Sequence, residues 1–192
     1  MPSGRVRQFD TDEALDRAMG VFWRRGYEGA TLDELTAAMG INRPSLYAAF
    51  GNKEQLYRKV LDRYRAGPVA FVAEALTRPT AREVAEALLR GTVRMLTDRS
   101  HPGGCLVIRG TLACGAEAEG IRREVQTIRE QAVGEIRGRF ERAVAEGDLP
   151  KGTDCNALVR YVTTVMHGMA VQPMSKAELN RVVELAMRAW PG

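Results

Sequence analysis

Arg43, Ser45, Tyr47 and Lys53 lie close together, and from Leu35 to Lys53 the chain has no aspartate or glutamate. A guanidinium, two hydroxyls and an ammonium with no carboxylate among them suit the grip of a polyanion rather than bond-making chemistry, because phosphate repels carboxylates and favours cations. Arg43 has two uses open to it: bidentate hydrogen bonding to a guanine edge, or simple pairing with a phosphate. Pro44 can press on a thymine methyl, and Ser45 completes the set that would read bases. Tyr47 and Thr31 can donate their hydroxyls to phosphate, Thr31 beside a helix N-terminus, and Lys53 adds a cation at another.

Two helices joined by a tight turn would hold these groups. Thr31 is a good N-cap, and Glu34 three residues on completes a capping box. Leu32, Leu35 and Met39 return at helical spacing as a buried stripe. Gly40 can take the left-handed conformation that ends this helix, and Ile41 plugs the corner. Asn42 caps the next helix, where Pro44 is tolerated because the first turn has unpaired N–H groups anyway. Leu46 and Phe50 point inward, leaving Arg43, Pro44, Ser45, Tyr47 and Ala48 outside. This is the layout of a helix-turn-helix whose second helix enters the major groove of DNA. A preceding helix is expected from Asp10, with Glu13 as its box partner, to Gly26; Ala14, Leu15, Ala18, Met19 and Phe22 form its apolar face. A longer one opens at Asn52 with Gln55 and turns Leu56, Val60, Leu61 and Tyr64 inward.

The segment RGYEGATLDELTAAMGINRPSLYAAFGNKEQLYRKVL resembles the N-terminal domain of the tetracycline-repressor (TetR) family of bacterial transcription regulators. The likeness covers about residues 9–65 and rests on the aromatic after Gly26, Thr31, Gly40-Ile41, Leu46-Tyr47, Phe50, Lys53 and Leu56. A fragment further on, AVAEGDLPKGTD, is similar to the turn before the dimerising helices of many members. The resemblance implies an all-α homodimer with a DNA-binding head and a C-terminal effector domain, and it points to the same backbone contacts at Thr31, Tyr47 and Lys53. The head is expected over 1–51, with a linking helix over 52–66, and the effector and dimerisation domain over 67–192.

Composition sets outer limits. A 192-residue chain with 45% hydrophobic and 27% charged residues is an ordinary globule, and its net charge of +4 permits DNA binding without requiring it. There is no apolar run of the roughly 18 residues that a membrane span needs. The first ten residues lack the apolar stretch of a signal peptide. Three cysteines fit a reducing cytoplasm better than a disulfide framework. Arg5 and Arg7 can act as an arm along a groove.

Beyond Gly67 the pattern predicts more helices: a break at Ala66-Gly67-Pro68, then Thr80 to about Asp98, a short buried helix in CLVIRGTLACG, and a long helix over 117–146. Two more follow, over 154–171 and from the Ser175/Glu178 box onward. Helices that are apolar nearly all round need cover, which a symmetric dimer through the last two helices supplies. Two paired heads would then address a palindromic operator in double-stranded DNA.

The C-terminal helices suit a pocket for a small-molecule effector of unknown identity. Met95, Arg109, Met166 and His167 are the candidate lining. Arg109 either recognises an acidic ligand or bonds a nearby glutamate or carbonyl as structure. His167 either touches ligand or is a satisfied core histidine. Cys105, after Gly103-Gly104 and near His101, sits where a helix N-terminus would favour a reactive thiolate. It is either a sensor of electrophiles, oxidants or metal, or a small packed side chain. PGGCLV is similar to a segment in relatives that look like such sensors. His101, Cys105, Cys114, Cys155 and His167 have no close metal-ligand spacing, and Cys105 and Cys114 fall on opposite sides of one helix. No cofactor loop or catalytic set is visible, which leaves a thiol- or metal-using enzyme weakly supported. A chromosome-coating protein is the other rival class. The expected function is a homodimeric, effector-responsive regulator, a repressor that leaves its operator when the effector binds, with the linking helix as transmitter.

Overall fold

Side-chain caps set where most helices begin. The computed structural model describes residues 9–112 and 118–191, and all regular structure in it is helical. The Asp10 carboxylate accepts from the N–H groups of Asp12 and Glu13 to open α1 (Thr11–Gly29). Gly26 interrupts that helix at φ 72°, ψ 178°, so the regular turns stop where the sequence places the end. Thr31 and Glu34 form the reciprocal box that opens α2 (Leu32–Met39), and Gly40, left-handed at φ 69°, closes it. Asn42 caps α3 (Arg43–Phe50), and Asn52 with Gln55 boxes α4 (Lys53–Ala66). Thr80 with Glu83 opens α6 (Ala81–Thr97), and Ser175 with Glu178 opens α10 (Lys176–Arg188). Between them stand α5 (Phe71–Leu76), α7 (Leu106–Leu112), α8 (Glu119–Glu146) and α9 (Cys155–Val171). The sequence pattern does not separate α5, which is too short to show a period.

Two apolar cores result. The first gathers Ala18, Phe22 and Trp23 of α1, Leu35 and Met39 of α2, Leu46 and Phe50 of α3, and Leu56, Tyr57, Val60, Leu61 and Tyr64 of α4. It does not stop at the head: Met95 of α6, Leu106 of α7, and Ile121 and Val125 of α8 belong to it too. The second joins α6, α8, α9 and α10 around Leu88, Leu89, Ile136, Phe140, Val159, Val162 and Val183, with Trp190 edge-on to Phe140 at 5.5 Å.

The helix around Leu106 differs from expectation. Leu106 is fully buried, but Val107 and Ile108 are only half-buried and Arg109 is exposed. This helix lies over α1 at the surface, so one side is packed and the other is solvated. Among the described residues no helix is long and apolar enough to cross a membrane.

Phe140 has no exposed surface and anchors the second core against Trp190. Phe140→Ala is expected to lower the unfolding free energy by about 3–5 kcal/mol in urea titration. A loss under about 1 kcal/mol would show that this contact does not hold the bundle.

Candidate nucleic-acid interface and adjoining cavity

The exposed face of α3 begins one residue after its cap. Asn42 Oδ1 accepts from Ser45 N at 2.8 Å, which fixes the first turn and leaves Arg43 and Pro44 exposed on it. Ser45 is half-buried, Ala48 is exposed, and Tyr47 is 48% exposed. Arg43 is not idle, however. Its Nη2 and Nε donate to Asp33 Oδ1 at 2.8 and 3.2 Å, a bond that reaches from α3 back to the first turn of α2. That hydrogen bond, with the attraction of the carboxylate, raises the Arg43 pKa. The stretch without acids in sequence is therefore not without acids in space. Asp33 lies just upstream of it, at a helix N-terminus where a carboxylate is favoured, and the turn folds it onto Arg43.

Thr31 is exposed, and its hydroxyl is already engaged: Oγ1 accepts from Glu34 N at 3.1 Å and donates to Glu34 Oε2 at 3.3 Å. The Thr31 N–H bond holds the Glu34 pKa down, helped by Arg25, whose Nη2 is 3.4 Å from Glu34 Oε1. Lys53 turns inward. Its ammonium sits 4.8 Å from the centre of the Tyr27 ring and 3.5 Å from the Glu28 carbonyl oxygen, and burial lowers its pKa. Arg43, Pro44, Ser45 and Tyr47 thus share one short surface, with Thr31 and Lys53 at helix starts beside it. Arg5 and Arg7 lie outside the described residues.

A cavity of about 460 Å³ opens where α4 ends. Tyr64, Val69, Val72, Cys105, Ile128, Ile136, Met166 and His167 are among its lining residues. Of the four residues expected to line a pocket, Met166 and His167 are there, whereas Met95 and Arg109 are not. Met95 lies behind Tyr64, whose hydroxyl donates to its Sδ at 3.4 Å. Arg109 extends along the surface and donates to the Arg24 carbonyl oxygen at 3.4 Å, the structural of its two expected roles. Burial lowers the His167 pKa, and the Arg129 charge adds to the effect, so the imidazole is neutral at pH 7.

Cys105 immediately precedes α7 and is half-buried in the cavity wall. Tyr64 also donates to its Sγ at 3.4 Å, so the one phenolic proton serves either sulfur. His101 is stacked 4.5 Å from Trp23, and Trp23 Nε1 donates to the Gly104 carbonyl oxygen at 3.1 Å. Cys155 is buried elsewhere, against the Thr153 carbonyl oxygen; Cys114 lies outside the described residues. Sequence reasoning missed Asp33, the cavity role of Tyr64, and Arg129. Only Tyr64 gave a signal, as an inward aromatic in the last turn of α4.

Comparison with known proteins finds DNA-binding regulators of the same fold. The sequence profile of bacterial regulatory proteins of the tetR family matches residues 14–60, and that of the tetracyclin repressor-like C-terminal domain matches residues 83–190. The HTH-type transcriptional repressor ComR of Escherichia coli (strain K12) is 30% identical over 194 residues, covering 98% of this chain and 92% of that protein. A cysteine mutant of the TetR family transcriptional regulator CifR, solved with 26-bp double-strand operator DNA, superposes with a TM-score of 0.92 at 44% identity. That match covers 97% of this chain and 100% of the other. A TetR regulator from Rhodococcus sp. RHA1 is 42% identical, with a TM-score of 0.64 and coverage of 95% and 99%.

The Arg43–Asp33 pair is solvated at both ends and contributes little to folding. Asp33→Asn is expected to leave the urea midpoint essentially unchanged. A clear drop would assign the pair to the stability of the head instead.

Proposed function

This chain belongs to the tetR family of bacterial regulatory proteins, and from that premise we propose that two copies bind a palindromic operator and release it when a small molecule fills the cavity beside α4. The protein is a DNA-binding transcriptional regulator, and the repressor sense follows the relatives named as repressors. It acts in the cytoplasm, on double-stranded DNA.

One observation carries the release mechanism: Tyr64 is fully buried in the head core and is also part of the cavity wall. A ligand that presses on this side chain presses on the helix that also carries Leu56, Tyr57, Val60 and Leu61 into the head. Release then needs only that the ligand favour one arrangement of α4 over the other. Gly67, where α4 stops, is the hinge.

Exposed apolar side chains mark the pairing surface. Tyr161 and Val171 on α9 and Leu185 on α10 are 37%, 61% and 61% exposed, large apolar side chains that a second copy would cover. Tyr161, Thr164, Gly168 and Val171 recur at helical spacing on one face of α9, the pattern that one helix of a four-helix interface presents.

On the DNA, Arg43 exchanges Asp33 for the duplex. Pro44 and Ser45 accompany it in the groove, Tyr47 donates to phosphate, and Thr31 and Lys53 meet the backbone beside it. The test is titration of Arg43→Ala and Tyr47→Phe against an operator selected from random duplexes. The pair of changes is expected to cost roughly tenfold to a hundredfold in affinity. If Arg43 reads a base, its loss relaxes the preference at one position. If it meets phosphate, affinity falls evenly and the salt slope drops by about one. Unchanged affinity in the double variant would overturn the assignment of this face.

A second reading shares the same cavity. Because the Cys105 thiol is in its wall, an electrophile or oxidant entering there would meet a nucleophile, and covalent change at Cys105 would do what a bound ligand does. Cys105→Ala separates the two readings. Release that persists in the variant supports reversible binding, and release that vanishes supports thiol chemistry.

A further inference from the structure

The charged residues of the cavity wall differ in their surroundings. Asp62, Arg65 and Glu135 are exposed, with both signs of charge in water. Arg129, Val133, Thr163 and His167 form a wall shared with a groove of about 550 Å³ between α8 and α9. Cations dominate that groove: Arg129, Arg137 and Arg160 face a single acid, Glu130. Arg137 is occupied, with Nε 3.6 Å from Glu141 and Nη1 3.5 Å from Asn156. Arg129 is different. It is half-buried, lines both spaces, and has no carboxylate partner among the described residues.

A partly desolvated guanidinium without a counter-charge is costly, and an anion brought to it recovers that cost. His167 stands on the same wall with a neutral ring, able to donate one further hydrogen bond. Most of the remaining wall is aliphatic, with Tyr64 and Cys105 also in it, and a chamber of this size holds a small organic molecule.

We propose that this chamber binds an aliphatic monocarboxylate, its alkyl body among Val72, Ile128, Ile136 and Met166 and its carboxylate on Arg129 and His167. Arg109, the arginine whose place in the sequence suggests an acid receptor, has its guanidinium on the Arg24 carbonyl, and Arg129 takes that role. The ligand class rests on the release reading for its regulatory meaning, but the binding site can be tested by itself.

The experiment is calorimetric titration of the full chain with octanoate and with octan-1-ol, which carries the same body without the charge. Octanoate is expected to bind roughly tenfold or more tighter, the size of one charge-assisted hydrogen bond. Arg129→Gln should abolish that preference, and Arg129→Lys should keep part of it. The Lys variant also serves if the Gln variant melts early. Equal affinities in the unmodified chain, a preference that survives Arg129→Gln, or no binding of octanoate would each overturn the proposal. Binding that depends on Arg129 but leaves operator affinity untouched would confirm the site and overturn the release reading instead.

Discussion

A buried phenol must find partners for its hydroxyl, and that of Tyr64 lies among the sulfurs of Met95 and Cys105 and the backbone N–H of Leu106. Its ring stands edge-on to Trp23 at 4.9 Å, while its hydroxyl points away from the head toward Met95 and Cys105. Sulfur is a weak acceptor, so the bond is easily exchanged, yet burial of the ring fixes where it must be made. The same burial raises the Tyr64 pKa, so the phenol keeps its proton and stays a donor. One side chain of α4 thereby ties the head core to α6 and to the start of α7. Tyr64 therefore belongs at once to the head core and to the cavity wall.

The outer face follows a different logic, that of exposed charge. In isolation the molecule keeps Arg43 on Asp33, Lys53 over Tyr27 and the Thr31 hydroxyl on Glu34. The Arg43 pair is solvated and readily exchanged, whereas the Thr31 hydroxyl also caps α2 and Lys53 is partly buried. An exposed pair such as Arg43–Asp33 orients a long side chain while adding little to stability. Tyr47 is the exception, an aromatic left largely in water on the same surface.

The head was legible from residues alone because its signals are local. Caps at Thr31, Asn42 and Asn52, and a left-handed glycine at Gly40, are each decided within a few residues, and the structure has all of them. The C-terminal helix limits were also legible where a box such as Ser175/Glu178 marks them. What escaped was non-local. That Asp33 folds onto Arg43 depends on the angle of the turn. That Arg129 lines a cavity depends on how α8 lies against α9, and one arginine among many on α8 carries no mark of it. Arg109 misled for the same reason: its neighbours are apolar, but the side of the helix it occupies faces water.

Coupling through α4 predicts a change in the spacing of the two heads whenever the cavity is filled. Pulsed dipolar spectroscopy between spin labels at Ala49, in a chain whose own cysteines are replaced, reads that spacing directly. Filling the cavity from within, by Ala132→Phe, should shift the distance away from that of the operator-bound dimer, where the heads are about 34 Å or a wider groove repeat apart. Identical distance distributions for the filled, unfilled and operator-bound dimers would contradict the account.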